Sequence, residues 1–414
     1  MNPAAAATSA AAGWRWRHVL LAPHRLAFLL ATLVLMAAAL WWALVQLDRA
    51  GLGPALSWAL SPTLVHASVM TFGFIPLFFA GFLFTAGPRW LGVAGPSARQ
   101  IAPSLLAQCG GWLLWLAGSH VHRALAGAGL GLALLGMGAV TLRFWRLIGA
   151  SRMPDRLHAK LVGAALVTGC LCLAGLAGAL AAGADTVARV FVLAGLWGCV
   201  VVVYLTVAHR MIPFLGSEGL PWVLWLMLGT ALFEVLAAVV EAAGIVSIEW
   251  TLLRGVLEVG AGACVVWLAV AWARTQNVRI RLLAMLHLGF VWLGAGLLLG
   301  GGARLAGLFA GVPVLPLAAL HAVTLGCLGS LMLAMVTRVT CAHSGRAVVV
   351  DDRVWMLFWL LQLATVLRIA ATVPVLPGPA LLLAAACLWA GLLLTWGTRH
   401  AYWYGCLRAD GRPG

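Results

Sequence analysis

Apolar residues run along this chain in long blocks that polar residues only punctuate. Leu26 to Leu47 and Ala124 to Leu142 carry no charged side chain at all. A helix of about 20 apolar residues spans the hydrocarbon core of a bilayer, at ~1.5 Å per residue. Twelve such blocks are legible, at 26–46, 62–86, 101–118, 123–142, 160–182, 187–208, 221–242, 252–273, 281–301, 313–337, 354–373 and 379–396. The pattern predicts an all-α, polytopic membrane protein of about twelve transmembrane helices. It forms one transmembrane domain over 26–396, with a disordered N-terminal segment 1–25 and a C-terminal tail 397–414. Met1 to Gly13 are Ala-rich and unpatterned. No small-residue cleavage site interrupts the first apolar block before Leu47, so it reads as an uncleaved helix rather than a signal peptide.

Connections between blocks are mostly short. Thr85-Ala-Gly-Pro-Arg-Trp90 is expected to stop the second helix at its Gly and Pro, and His209-Arg-Met-Ile-Pro-Phe214 the sixth, with Pro213 as breaker. Blocks two and ten share features: His66-Ala67 and His321-Ala322 near one end, internal glycines, then Thr and Arg at the other. The His-to-Arg spacings differ, so an internal repeat is a weak reading.

Composition agrees with the pattern. Of 414 residues 64% are hydrophobic and 9% charged, far below the near-quarter of a soluble domain. The net charge of +15 raises nucleic acid as a partner, and its distribution removes it. With the N-terminus inside, the inner segments hold Arg15, Arg17, Arg25, Arg89, Arg99, Arg143, Arg146, Arg152, Arg156, Lys160, Arg210, Arg274, Arg279, Arg281, Arg338, Arg346, Arg353, Arg399, Arg408 and Arg412. The outer segments hold only Arg49, Arg123, Arg189, Arg254 and Arg304, and Arg368 lies inside a block near its outer end. This bias places both termini in the cytoplasm of a multi-pass protein. The nine cysteines form no CxxC or CxxCH, which argues against a disulfide framework and covalent c-type haem. They read as small packers, with Cys327 and Cys341 near candidate ligands. Tryptophans 41, 42, 58, 90, 222 and 403 sit near block ends and read as an interfacial belt.

Five histidines lie in or at the ends of apolar blocks: His66, His209, His287, His321 and His343. A bilayer penalises such groups unless partnered, and metal is a strong partner for imidazole. His66 lies a few residues inside block two, and His321 about eight residues, roughly 12 Å, inside block ten. The two can face each other at similar depth, as axial ligands of one haem do. Met70, one turn from His66, shares its face. His209, His287 and His343 lie inward, level with Arg89, Arg210, Arg338 and Arg346, whose forks suit haem propionates or another anion. His18, His24, His120, His122, His158 and His400 read as solvated. A helix-to-helix hydrogen bond is the competing account of any one spanning histidine. Glu234 and Glu258 mark a candidate proton path, with pairing to Arg254 as the alternative. Glu241 shares a face with Glu234.

Several segments together resemble the NnrS family of bacterial membrane proteins. They are His24-Arg25 through Leu30, His66-Ala67-x-x-Met70, Ala80-Gly-Phe-Leu-Phe-Thr85, Arg210-Met-Ile-Pro-Phe214 and Leu286-His287-Leu-Gly289. Most specific is His321-Ala322 through Gly326, Gly329, Met335, Thr337-Arg338, His343 and Gly345-Arg346. The resemblance implies a haem- and copper-containing protein tied to nitric oxide tolerance, beside denitrification. His66, His209, His287, His321, His343, Arg210, Arg338 and Arg346 then take the family's motif positions. Many members read His-x-His-Glu-Met in the second helix. Here Ser68 and Val69 replace the second His and the Glu, which makes copper less secure than haem b.

The expected function is a b-type haem protein that binds or processes nitric oxide under nitrosative stress. Whether it turns nitric oxide over, as a haem-dependent oxidoreductase with an electron-donating respiratory partner, stays open. The competing readings are a twelve-helix transporter using intramembrane His and Glu, and a haem-bearing accessory or sensor subunit of a respiratory complex.

Overall fold

A computed structural model describes residues 13–211 and 221–410. Among these residues the secondary structure is helical, with no strand. Twelve helices are long and apolar enough to cross a membrane: α1 Pro23–Arg49, α2 Pro62–Leu91, α3 Ala98–Val121, α4 Arg123–Ala150, α5 Leu157–Ala181, α6 Asp185–Met211, α7 Pro221–Ala242, α8 Ile248–Thr275, α9 Arg281–Ala310, α10 Ala318–His343, α11 Asp352–Ala370 and α12 Gly378–Tyr404. The chain is a multi-pass membrane protein. The all-α, twelve-span expectation holds.

Three boundaries differ from the sequence reading. Helix α2 runs through Pro88 to Leu91 and ends at Gly92, which is left-handed at φ +61° and whose N–H bonds Pro88 O. Pro88 removes one backbone donor near the end of the helix, and Gly92 terminates it. Helix α10 begins at Ala318 instead of 313, so His321 sits in its first turn and not two turns deep. Leu315 and Leu317 have positive φ there and cannot be helical. Helix α12 extends to Tyr404, so residues 397–404 of the stretch read as a tail are helix. The Ala-rich residues 1–12 and the breaker Pro213 lie outside the described residues.

The two described ends meet on one face. Arg15 N–H bonds Gly405 O at 2.9 Å. His18 Nδ1 donates to the same carbonyl at 2.8 Å, and Arg25 to Cys406 O at 2.7 Å. Residues 13–25, read as disordered, are therefore pinned to the end of α12, and α1 packs along α12 to close the bundle.

Helices α2 and α10 form the interior, with 78% and 67% of their apolar windows buried. Both lose regular geometry there, as does α6. Helix α2 breaks at Gly73-Phe74, where Pro76 removes a donor and crowds the preceding turn. Helices α6 and α10 widen into π turns at Leu196–Val201 and Ala322–Leu328. Such turns recur at functional sites. Elsewhere backbones touch. A Cβ on Gly301 of α9 would lie 2.5 Å from Gly255 O of α8, and one on Gly129 of α4 2.6 Å from Gly111 O of α3. Only glycine permits these approaches, the usual seam between apolar helices in lipid.

Candidate functional site

The three irregular stretches border one cavity of about 500 Å³, within the ~300–1,000 Å³ common for cofactor sites. Helix α2 contributes His66, Met70 and Phe74, α6 Leu193 and Leu196, and α10 His321, Thr324 and Leu328. Trp42 of α1, Arg368 of α11 and Trp389 of α12 complete the walls. Exposed Ser61, Thr63, Thr186 and Arg189 form the polar rim.

His66 and His321 thus come from separate helices to one space. His66 stacks on Trp42, with ring centres 3.9 Å apart and planes 17° from parallel. Arg49 lies over the same indole at 5.5 Å. Nδ1 of His66 is buried without a hydrogen-bond partner, a costly state for a polar atom. In His321, Nδ1–H donates to Leu317 O at 2.9 Å. That bond fixes the tautomer and leaves Nε2 with a lone pair, as in imidazoles that bind metal. The accepting carbonyl belongs to the left-handed Leu317, at φ 66°. A non-glycine residue held this way costs ~1–2 kcal/mol, and such strain gathers at functional sites. Ser68, which stands where many family members carry histidine, donates to Leu64 O and Val65 O. It is spent on its own helix.

The inner residues are divided among separate contacts. His209 is buried, with Nδ1 3.1 Å from Nε2 of His158. Arg210 lies over Trp90 at 4.8 Å and 3.7 Å from Asp155. His343 packs against His24, ring centres 4.4 Å apart, on the same inner face as Arg89 and Arg408. Arg346 lies over Trp403 at 4.4 Å. His287 donates Nε2–H to Ala269 O at 2.9 Å and meets Trp272 edge-on, the helix-to-helix hydrogen bond. Arg338 is half-buried near the end of α10 and makes no ion pair among the described residues. No three His, Cys, Asp or Glu side chains converge as a metal site among the described residues.

Glu234 and Glu258 join a charge cluster between α7, α8 and α9. Arg254, 6% exposed, reaches Glu234 and Glu258 at 2.7 Å each and also binds Glu241. Arg304 meets Glu258 at 3.1 Å and Glu241 at 3.0 Å. Pairing with Arg254, the alternative to a proton path, is the arrangement present.

Several histidines read as solvated are not. His18, His24 and His400 are buried, and His158 is half-buried. His120 accepts from Trp41 Nε1 at 2.7 Å and donates to Ser57 O at 2.8 Å. Helix ends hide these rings against the termini and neighbouring loops, which counting along an apolar block does not reveal. The belt reading also falls short for Trp42, Trp90 and Trp403, which stack on functional candidates. Arg189 and Arg368 escaped notice as cavity residues. The available signal was Arg368 itself, an arginine inside an apolar block.

Comparison with curated proteins gives no match. A family model described as NnrS protein matches residues 18–408, nearly the whole chain. With His66 and His321 of its motif positions set around one cavity, the chain belongs to the NnrS family.

Proposed function

We propose that this is a b-type haem protein of the bacterial inner membrane, with cytoplasmic termini, that binds nitric oxide in the response to nitrosative stress. The observation that carries the reading is the pair His66 and His321 on one apolar cavity of about 500 Å³, each with a ring nitrogen free of protein partners. The family match supports the nitric oxide part, since membership points to a nitric-oxide response.

The residues fit the group. His66 and His321 would hold the iron, Met70 and Phe74 would face the flat macrocycle, and cations at the rim would meet its acids. When bound, haem would supply an iron able to coordinate nitric oxide at a position that one of the two imidazoles gives up. The protein's part is to keep His321 in one tautomer through Leu317 O and His66 in one plane through Trp42. Its apolar walls exclude water while admitting an uncharged gas from the lipid. Electron transfer would need a separate donor, and turnover is not part of the proposal.

The test is the absorption spectrum of the purified protein. A Soret band that shifts with dithionite and again with nitric oxide is expected. His66→Ala and His321→Ala should each abolish or displace it, while the exposed His122→Ala should not. A protein without the band, even after haem supplementation, defeats the reading.

A further inference from the structure

Arg368 and Arg189 line the outer cavity, and neither makes an ion pair or hydrogen bond with another described residue. Arg368 is half-buried at the outer end of α11, among Leu382, Ala385 and Ala386 of α12. The one carboxylate on the cavity wall, Asp185, is taken by Arg123 at 3.0 Å. A guanidinium enclosed by apolar walls is stable only with an anion beside it. Everywhere else in the outer half, buried arginine has that anion from the protein: Arg254 alone contacts three glutamates. At half-buried Arg368 no described protein carboxylate supplies it, and the side chain borders the cavity, where an occupant could. Its planar fork suits a carboxylate in particular.

We propose that Arg368, assisted by Arg189 at the rim, receives the carboxylates of the porphyrin, which therefore lies with its acidic edge toward the outer face. This rests on the porphyrin reading above. It moves the acid-binding role away from the inner arginines Arg89, Arg210, Arg338 and Arg346. Arg210 and Arg346 lie over tryptophans, and none of the four lines the cavity.

The experiment compares ferric protoporphyrin with its dimethyl ester, titrated into haem-free protein. Quenching of Trp42 and Trp389 fluorescence and the Soret band report binding, and no activity is needed. Wild-type protein should prefer the free acid by about tenfold or more. Arg368→Gln should erase that preference, Arg368→Lys should keep part of it, and Arg338→Gln should leave it intact. The wild-type comparison stands even if a variant fails to fold. Equal affinity for acid and ester in the wild type overturns the assignment while leaving the porphyrin reading alive. So does loss of the preference in Arg338→Gln but not in Arg368→Gln. An anionic phospholipid seen by native mass spectrometry, and lost with Arg368→Gln at unchanged porphyrin affinity, gives the guanidinium to a lipid headgroup and also overturns it. If neither porphyrin binds, the parent reading fails as well.

Discussion

Two clusters of polar groups lie toward one end of this bundle, and they are built on opposite principles. Between α7, α8 and α9, two arginines and three glutamates pair with one another, with Glu234 Oε1 alone among their buried atoms left without a hydrogen bond, and α8 and α9 touch at glycine. Between α2, α6, α10, α11 and α12, two imidazoles and two arginines surround an apolar space with ring nitrogens and guanidinium groups left over. Both arrangements cost desolvation. Only the first recovers it within the chain. Completeness of pairing, more than the presence of charge, therefore separates a structural cluster from a ligand site.

The contrast is sharpest under substitution. Replacing Arg254 with Leu strands Glu234 and leaves Glu241 and Glu258 to Arg304 alone, and should lower stability by about 3–5 kcal/mol. Arg368→Gln strands none, and in ligand-free protein it should change stability by less than about 1 kcal/mol. Thermal unfolding in one detergent checks both, and similar losses would erase the distinction. The packing should respond in parallel. Gly301→Leu drives a side chain into Gly255 of α8 and should cost about 1–3 kcal/mol. Ala386→Leu projects into the cavity, so it should spare the melt and weaken porphyrin binding instead.

Histidine gives a third comparison. His321→Ala should remove the absorption band. His287→Ala should keep it and lose about 0.5–1.5 kcal/mol with the bond to Ala269 O. A band lost with His287 would shift the site inward.

The smallest effect lies at the N-terminus of α11. Arg399 makes a bidentate, charge-assisted contact with Asp351, which caps α11 through Val354 N–H. The hydrogen bond from Arg399, helped by that cap, holds the Asp351 carboxyl below its ordinary value of 3.8. A lowered folded value contributes stability that is complete above the unfolded value and lost as pH falls through the folded one. The window therefore lies below about pH 4. Asp351→Asn should flatten that acid limb by no more than ~1 kcal/mol, because the pair is partly exposed.

Much of the architecture was legible because a bilayer imposes one length on every crossing. His66 and His321 could be placed opposite each other for the same reason, since depth follows from counting residues. What counting could not give is rotation about the helix axis. The π turns in α6 and α10 and the break at Gly73 turn side chains relative to a regular helix. Arg368 of α11 and Trp42 of α1 sit on regular helices, and which neighbour they face depends on a rotation that residue counting leaves open. His24 and His158 looked solvated because the loops and termini that cover them are remote in sequence. Glu234 and Arg254 were recognised as a pair in waiting, while the reach of Arg304 across from α9 was not visible.

The clasp between the first helix and the last has a consequence for biogenesis. Helix α1 leaves the ribosome long before α12, the surface it packs on. Trp42, Arg368 and Trp389 belong to α1, α11 and α12, so the cavity has a missing side until α12 has been made. Any occupant of the cavity can be enclosed only after α11 and α12 have docked, and a nascent chain stalled before α11 offers an insertase or protease an open apolar trough.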